Sequence, residues 1–193
     1  MVMYMKEIEI TMQLLENLDT AKQKLANFNF VGEEKIMDTY FYDPNKFSSM
    51  PTKDKELGEC LRLRSKNQKI YVSYTIDKYD EEENWLYAQH FETEVPNVQA
   101  ALSQFNQANL KEMMTIRKIR NHFTNGNYEI FIENVETLGN FIEIEKIIND
   151  DRDILALKKE MKEFAGTLNI QMSDVLKTGK PEMMLKKLNL DVK

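Results

Sequence analysis

Of 193 residues, one is cysteine, two are histidine, one is tryptophan, four are proline and six are glycine. Each scarcity excludes something. Cys60 has no partner for an internal disulfide and no Cys/His neighbours at zinc-site spacing, which predicts a chain kept in a reducing cytoplasm. Its side chain reads as a small, semi-buried hydrophobe beside Leu61. So little glycine and proline argues against fibrous or low-complexity architecture. No GxxxxGK[ST] phosphate loop occurs, and nothing reads as a Ser-His-Asp or Cys-His catalytic set. No apolar run approaches the ~20 residues that span a bilayer. The opening "MVMYMKEIEI" reaches acidic residues before a signal-peptide pattern could develop, so secretion is not expected. Positive charge is in deficit too: the net charge is -6 and the isoelectric point about 5.2. Broad binding of nucleic acid or an anionic membrane is therefore not expected, although an acidic exterior can enclose a basic cleft. The expected partners are small ions or molecules.

What the chain does contain is 42% hydrophobic and 30% charged residues, the balance of a soluble globular protein. Its length suits one domain spanning 1–193. Alternating apolar and polar residues predict strands at about 4–11, 36–42, 60–65, 69–78, 86–95, 115–123, 127–135 and 140–147. Helical spacing interrupts them in "LENLDTAKQKLANFN" and "PNVQAALSQFNQANL". The Asn-Gly of "TNGNY" predicts a tight hairpin. "NKFSSMPTKDKELGE" reads as a mobile loop and "DKYDEEENW" as a charged hairpin tip. From Asp150 onward "DDRDILALKKEMKEFAGTLNI" predicts an amphipathic helix with acids at its start, followed by shorter helical pieces in "QMSDVLKTG" and "KPEMMLKKLNL". Strands thus occupy about 4–147 and C-terminal helices about 150–190. Met and Leu in the last piece could cap the rest of the fold or join a second copy as a homodimer.

Charge is arranged in forks along these strands. Because strand side chains alternate, Glu7 and Glu9 share one face, as do Glu92 with Glu94 and Glu143 with Glu145. Glu129 and Glu133 pair in the same way on the hairpin strand. One such pair is what any solvated sheet face provides. Basic forks on other strands change the reading: Arg62 with Arg64 opposite Leu61 and Leu63, and Lys118 with Arg120 and His122. Same-sign pairs on separate strands predict a closed or strongly curved sheet whose concave face is lined by charge. Carboxylates crowded there repel one another and resist desolvation unless cations neutralise them. Hard divalent cations such as Mg²⁺ or Mn²⁺ take carboxylate and phosphate oxygens, and arginine forks match phosphate. The combination suits a metal-complexed polyphosphate.

The same residues carry a family resemblance. "EIEIT" resembles the ExExK signature of the CYTH superfamily of triphosphate tunnel enzymes, which includes class IV (CyaB-type) adenylyl cyclases and thiamine or inorganic triphosphatases. "MDTYFYDP", "LRLRS", "YVSYTI", "FETEV", "RKIRNHF", "IENVETLGNFIEIE" and "SDVL" follow in order, covering roughly residues 5–176, with the class IV cyclases most similar in length and in "DTYFYDP". The resemblance implies an α+β fold: an eight-stranded antiparallel β-barrel, open as a tunnel, with surrounding helices. Glu7, Glu9, Glu143 and Glu145 would be catalytic metal-site carboxylates, joined by Glu133 where the family usually has aspartate. Arg62, Arg64, Lys118 and Arg120 would hold the phosphate chain, and Glu92 and Glu94 would be additional tunnel acids. Mg²⁺ or Mn²⁺ would be the cofactor, and ATP, thiamine triphosphate or tripolyphosphate the substrate. Cyclase chemistry, hydrolysis and triphosphate binding without turnover are the three implied activities.

Two lysines of the family pattern are missing. Thr11 stands at the lysine of ExExK, and Thr75 where the fourth strand normally has another. Lys66, Lys69 and Lys78 are the candidates to compensate. His90, near a usual arginine, reads as an exposed strand-end imidazole, and His122 as either a phosphate contact or a surface residue.

Overall fold

The computed structural model describes residues 6–81, 85–149 and 153–190. Nine strands, β1 (Lys6–Leu14), β2 (Asn29–Tyr42), β3 (Glu59–Lys66), β4 (Lys69–Tyr79), β5 (Trp85–Val95), β6 (Lys111–Thr124), β7 (Glu129–Val135), β8 (Gly139–Ile148) and β9 (Met172–Val175), form one sheet. Among the described residues four helices accompany them: α1 (Leu18–Lys24), α2 (Val98–Gln107), α3 (Ile154–Thr167) and α4 (Lys180–Leu188).

The first eight strands run β5-β4-β3-β2-β6-β7-β8-β1, all antiparallel, and β1 pairs back onto β5 through Lys6↔Gln89 and Glu7↔Ala88. The barrel is therefore closed, which removes the exposed edges an open sheet would have to protect. Four sequence features set its corners. Asn125 accepts hydrogen bonds from the backbone of Asn127 and Tyr128, and Gly126 at φ +81 completes the β6–β7 turn. Asn17, Asn97 and Asp153 each cap a helix by accepting from a first-turn backbone N–H.

The outward face of each strand is apolar where a helix covers it. Ile8, Ile10, Ile130, Ile132, Ile142 and Ile144 pack with Ala21 and Leu25 near α1 and with Leu157, Met161 and Ala165 of α3. Across the barrel, Phe41 and Leu63 meet Ala101 and Phe105 of α2, with the Phe41 and Phe105 rings edge-on at 4.8 Å. Each of these Ile, Leu, Met and Phe side chains contributes ~1.5–3 kcal/mol when fully buried. With the outer face supplying the core, the inner face is free to be polar.

Strand β2 begins at Asn29, seven residues before the apolar alternation suggests, because its charged first half is held by β6 through Asn29↔Thr124 to Lys35↔Ile119. "MSDV" is a strand, not the expected helical piece: β9 pairs with the part of β1 beyond β5, through Met12↔Val175. The edge of β1 left open beyond β5 decides this, and it has no local signal. The segment read as a mobile loop carries a 3₁₀ turn at Phe47–Ser49 and is tied down by Lys46, whose ammonium lies 2.7 Å from Glu59. Of the other expectations, residues 4–5 of the first strand, 82–84 of the charged tip and Asp150, Asp151 and Arg152 before α3 lie outside the described residues.

Helix α4 caps one end of the barrel, the first of the two expectations for this segment. Its Met184 and Leu185 are buried among Tyr40, Met114, Ile116, Val135 and Phe141. All five share the inward parity of their strands, so they form an apolar floor under the charged interior.

Candidate functional site

Residues paired across an antiparallel ladder share a face, so the inner wall can be traced strand by strand. Glu9 pairs with Glu145, Glu145 with Glu129, and Glu133 with Arg120. Arg120 then pairs with Glu34, Asp38 with Arg64, Arg62 with Ser73, and Ser73 with Glu92. Every charged fork read from the sequence therefore lies on one continuous inward surface. The acidic and basic prongs converge.

Among the described residues, three carboxylates form a close acidic group. Glu7, Glu9 and Glu145 each offer an oxygen within 4.8 Å of the others. Burial, reinforced by the neighbouring Glu143 carboxylate, pushes Glu9 up to about 8, and burial likewise raises Glu145. Glu7 is the exception: burial opposes ionisation, but its hydrogen bond to His90 holds it below the usual carboxylate range. An all-oxygen cluster that favours added positive charge is a fitting donor set for a hard divalent cation, so the Mg²⁺ or Mn²⁺ expected from the resemblance fits here.

A second group is already neutralised by protein cations. Arg120 donates to Glu133 at 2.5 Å and to Glu143 at 2.6 Å, lies 3.7 Å from Glu145, and is stacked 4.0 Å over the Phe131 ring. Lys118 reaches Glu133 at 2.7 Å. Burial and the adjacent Arg120 bring Lys118 down to about 8, despite Glu133. Glu143 is held down at about 2: burial works against ionisation, and Lys180 with Arg120 overcomes it. Glu133 and Glu143 thus sit on the cationic side of the tunnel, adjacent to the three-carboxylate group.

The Arg62/Arg64 fork is divided in its duties. Arg64 binds Asp38 in bidentate fashion, at 2.7 and 2.8 Å, and Asp38 is almost wholly buried. Arg62 is 3.9 Å from Asp38 and donates through Nε to Ser73 Oγ at 2.8 Å. Its ion pair with Asp38 is looser than that of Arg64.

Of the remaining residues singled out, Glu92 lies 3.6 Å from His90, whereas Glu94 is half exposed at the rim beside Lys69. His122 contacts Glu129 at 2.5 Å and stacks on Phe131. His90 is not an exposed strand-end imidazole: its Nδ1 meets Glu7 at 2.9 Å inside the barrel. Its parity in β5 is that of Glu92 and Glu94, and closure of β5 against β1 brings Glu7 to it. Lys66 and Lys69 do not fill the missing lysine positions, being paired with Glu34 and Glu94. Lys78 lies on the outward parity of β4.

A further ammonium, which the strand pattern does not predict, comes from Lys180 at the first turn of α4. It lies 2.8 Å from Glu133 and binds Glu143, and despite burial those two carboxylates raise it above the ordinary lysine range. Sequence periodicity gave no reason to place this residue with the strands. The one available signal was the "GKP" that starts α4, since it sets the lysine at a helix beginning next to an apolar cap. Asp38 alternates with Tyr40 in "MDTYFYDP", but no second acid flanks it to make a fork.

A closed antiparallel barrel with a charged bore and external helices defines the class of the tunnel folds. The CYTH domain family model matches residues 5–179, and the chain belongs to that family. A relative named "Putative adenylate cyclase MJ0240", from Methanocaldococcus jannaschii, is 27% identical over 90% of this chain and 95% of its own. Among solved structures, protein PH1819 of Pyrococcus horikoshii OT3 superposes with a TM-score of 0.77 at 24% identity, covering 94% of this chain and 99% of that one. A Hippeastrum protein, described as an adenylyl cyclase candidate with a dominant triphosphatase activity, gives a TM-score of 0.60 at 15% identity, covering 96% and 97%.

Proposed function

We propose that this protein processes a triphosphate substrate in a metal-dependent reaction inside the barrel, with class IV adenylyl cyclase-like conversion of ATP to cyclic AMP and pyrophosphate as the leading reading. The observation that carries it is the juxtaposition of two unlike groups on one inner wall: three clustered carboxylates and, beside them, Arg62, Arg64, Lys118, Arg120 and Lys180. The name of the Methanocaldococcus relative supports the cyclase form.

Glu7, Glu9 and Glu145 would hold Mg²⁺ or Mn²⁺, with Glu143 and Glu133 adjacent to adjust the charge. A bound cation of this kind supplies Lewis acidity, lowering the pKa of an attacking hydroxyl and screening phosphate charge. The protein's own groups do the remaining work. Arg62 and Arg120, fixed by Ser73 and by Glu133 and Glu143, hold the phosphate chain in line for attack at the α-phosphorus. Lys118 and Lys180 offset the charge that accumulates on departing pyrophosphate. Since α4 floors one end, the substrate enters by the other, and its organic group projects from that mouth.

A triphosphatase is the second reading, with water attacking the terminal phosphorus in place of the ribose hydroxyl. Its support is that the same cations and carboxylates serve it without rearrangement. Metal-dependent assays with ATP, thiamine triphosphate and tripolyphosphate, resolving cyclic AMP, orthophosphate and pyrophosphate, separate the two. Cyclic AMP with stoichiometric pyrophosphate is expected; orthophosphate without cyclic AMP eliminates the cyclase. Binding of the triphosphate without turnover under any divalent metal would leave a non-catalytic binding protein.

A further inference from the structure

One line of hydrogen bonds crosses the barrel wall between its two chemical halves. Arg62 Nε donates to Ser73 Oγ at 2.8 Å, His90 Nε2 lies 3.3 Å from that same oxygen, and His90 Nδ1 meets Glu7 Oε2 at 2.9 Å. Ser73 is completely buried, and its hydroxyl links the guanidinium to the imidazole along this line. The chain is built from adjacent strands: Arg62 faces Ser73 in the β3–β4 register, His90 faces Thr75 in β4–β5, and Glu7 lies where β1 closes on β5. Arg62 belongs to the proposed phosphate grip and Glu7 to the proposed metal cluster. Neither Ser73 nor His90 belongs to either.

We propose that Ser73 and His90 are positioning residues that couple the two half-sites, so that an anion drawn to Arg62 and a cation drawn to Glu7 each favour the other's binding. This rests on the reading of the tunnel as a metal and triphosphate site. With a neutral ring every donor points one way: Arg62 Nε–H to Ser73, Ser73 O–H to His90 Nε2, and His90 Nδ1–H to Glu7. With a charged ring Nδ1–H still donates to Glu7, while Nε2–H is shared between Ser73 and Glu92, the latter 3.6 Å away. In both states the imidazole plane is fixed at two ends, and moving Arg62 toward a phosphate shifts the hydroxyl against which that plane rests. Because the coupling is reciprocal, each half should sense damage done at the other.

The experiment changes one end and reads the opposite one in the full chain. Ser73→Ala does not touch Glu7, yet should weaken Mn²⁺ binding about tenfold in calorimetry without triphosphate, in line with losses at groups that orient metal ligands. Ser73→Thr, which keeps the hydroxyl, should restore it. His90→Asn retains a donor near the Nδ1 position but cannot span to Ser73, and it does not touch Arg62. It should weaken binding of a nonhydrolysable ATP analogue several-fold in the presence of a chelator. A merely structural role would leave both cross-readouts at the wild-type value. Unchanged Mn²⁺ affinity in a folded Ser73→Ala protein, or unchanged analogue affinity in His90→Asn, overturns the coupling. Wild-type protein that binds neither probe overturns the tunnel reading itself, a distinct result.

Discussion

Thr11 and Lys180 meet at one atom. The Thr11 hydroxyl lies 3.4 Å from Glu143 Oε2, and the Lys180 ammonium binds that same oxygen from the opposite end of the chain. The residue that stands where the family signature has lysine is thus short enough to leave room for an ammonium delivered by α4.

If the two positions are exchangeable suppliers of one charge, Lys180→Met should weaken triphosphate binding by about ten- to a hundredfold, the range of one charge-assisted contact. Adding Thr11→Lys to that variant should recover most of the loss. Calorimetry with a nonhydrolysable triphosphate reads both. Recovery below twofold would separate the roles of the two residues.

The carboxylate cluster makes opposite demands on binding and on stability. Glu9→Gln and Glu145→Gln should each reduce Mn²⁺ affinity about tenfold or more, since each removes a charged oxygen donor. Both should raise the melting temperature of the metal-free protein, because a buried carboxyl crowded by Glu143 is exchanged for a neutral amide. A fall in metal-free stability would contradict the electrostatic account.

The two arginines of "LRLRS" should fail differently. Arg64→Ala strands the buried Asp38 carboxylate and is expected to cost about 3 kcal/mol in urea unfolding. Arg62→Ala should cost less in stability but more in triphosphate affinity, with a shallower salt dependence of binding. Equal affinity and salt slope in Arg62→Ala would remove it from the phosphate grip.

A pH effect should come from the cap. Burial, together with the nearby Asp77, pushes Glu182 on α4 up to about 7. Its folded-state value lies above its unfolded one, so the folded protein binds more protons between about 4.5 and 7. The contribution to stability is present at the acidic end of that range and is lost as pH rises through 7. Glu182→Gln should therefore stabilise the protein at pH 8, by about 2 kcal/mol, with little effect near pH 4. Chemical denaturation at the two pH values tests the sign.

How much of this could be read in the sequence depends on whether the signal was local. Alternation in "KEIEITM", "LRLRS" and "GNFIEIEKI" carries both the strand and the face of each charge, and the inward forks follow from it. The turn at Gly126 was equally legible. What escaped was set by distant pairing. β9 exists because β1 extends past β5, and Lys180 enters the bore because α4 packs its apolar face on the barrel floor. Neither leaves a periodic trace in its own segment, whereas His90 shares the parity of Glu92 and Glu94 and depends on the closure of β5 against β1 only for its partner Glu7.

The most direct test of the account is an anomalous-scattering map from crystals grown with Mn²⁺ and a nonhydrolysable triphosphate. The account places the metal peak among Glu7, Glu9 and Glu145, with phosphate oxygens in contact with Arg62, Arg120 and Lys180. A metal bound outside the barrel, or phosphates seated away from those cations, would contradict it.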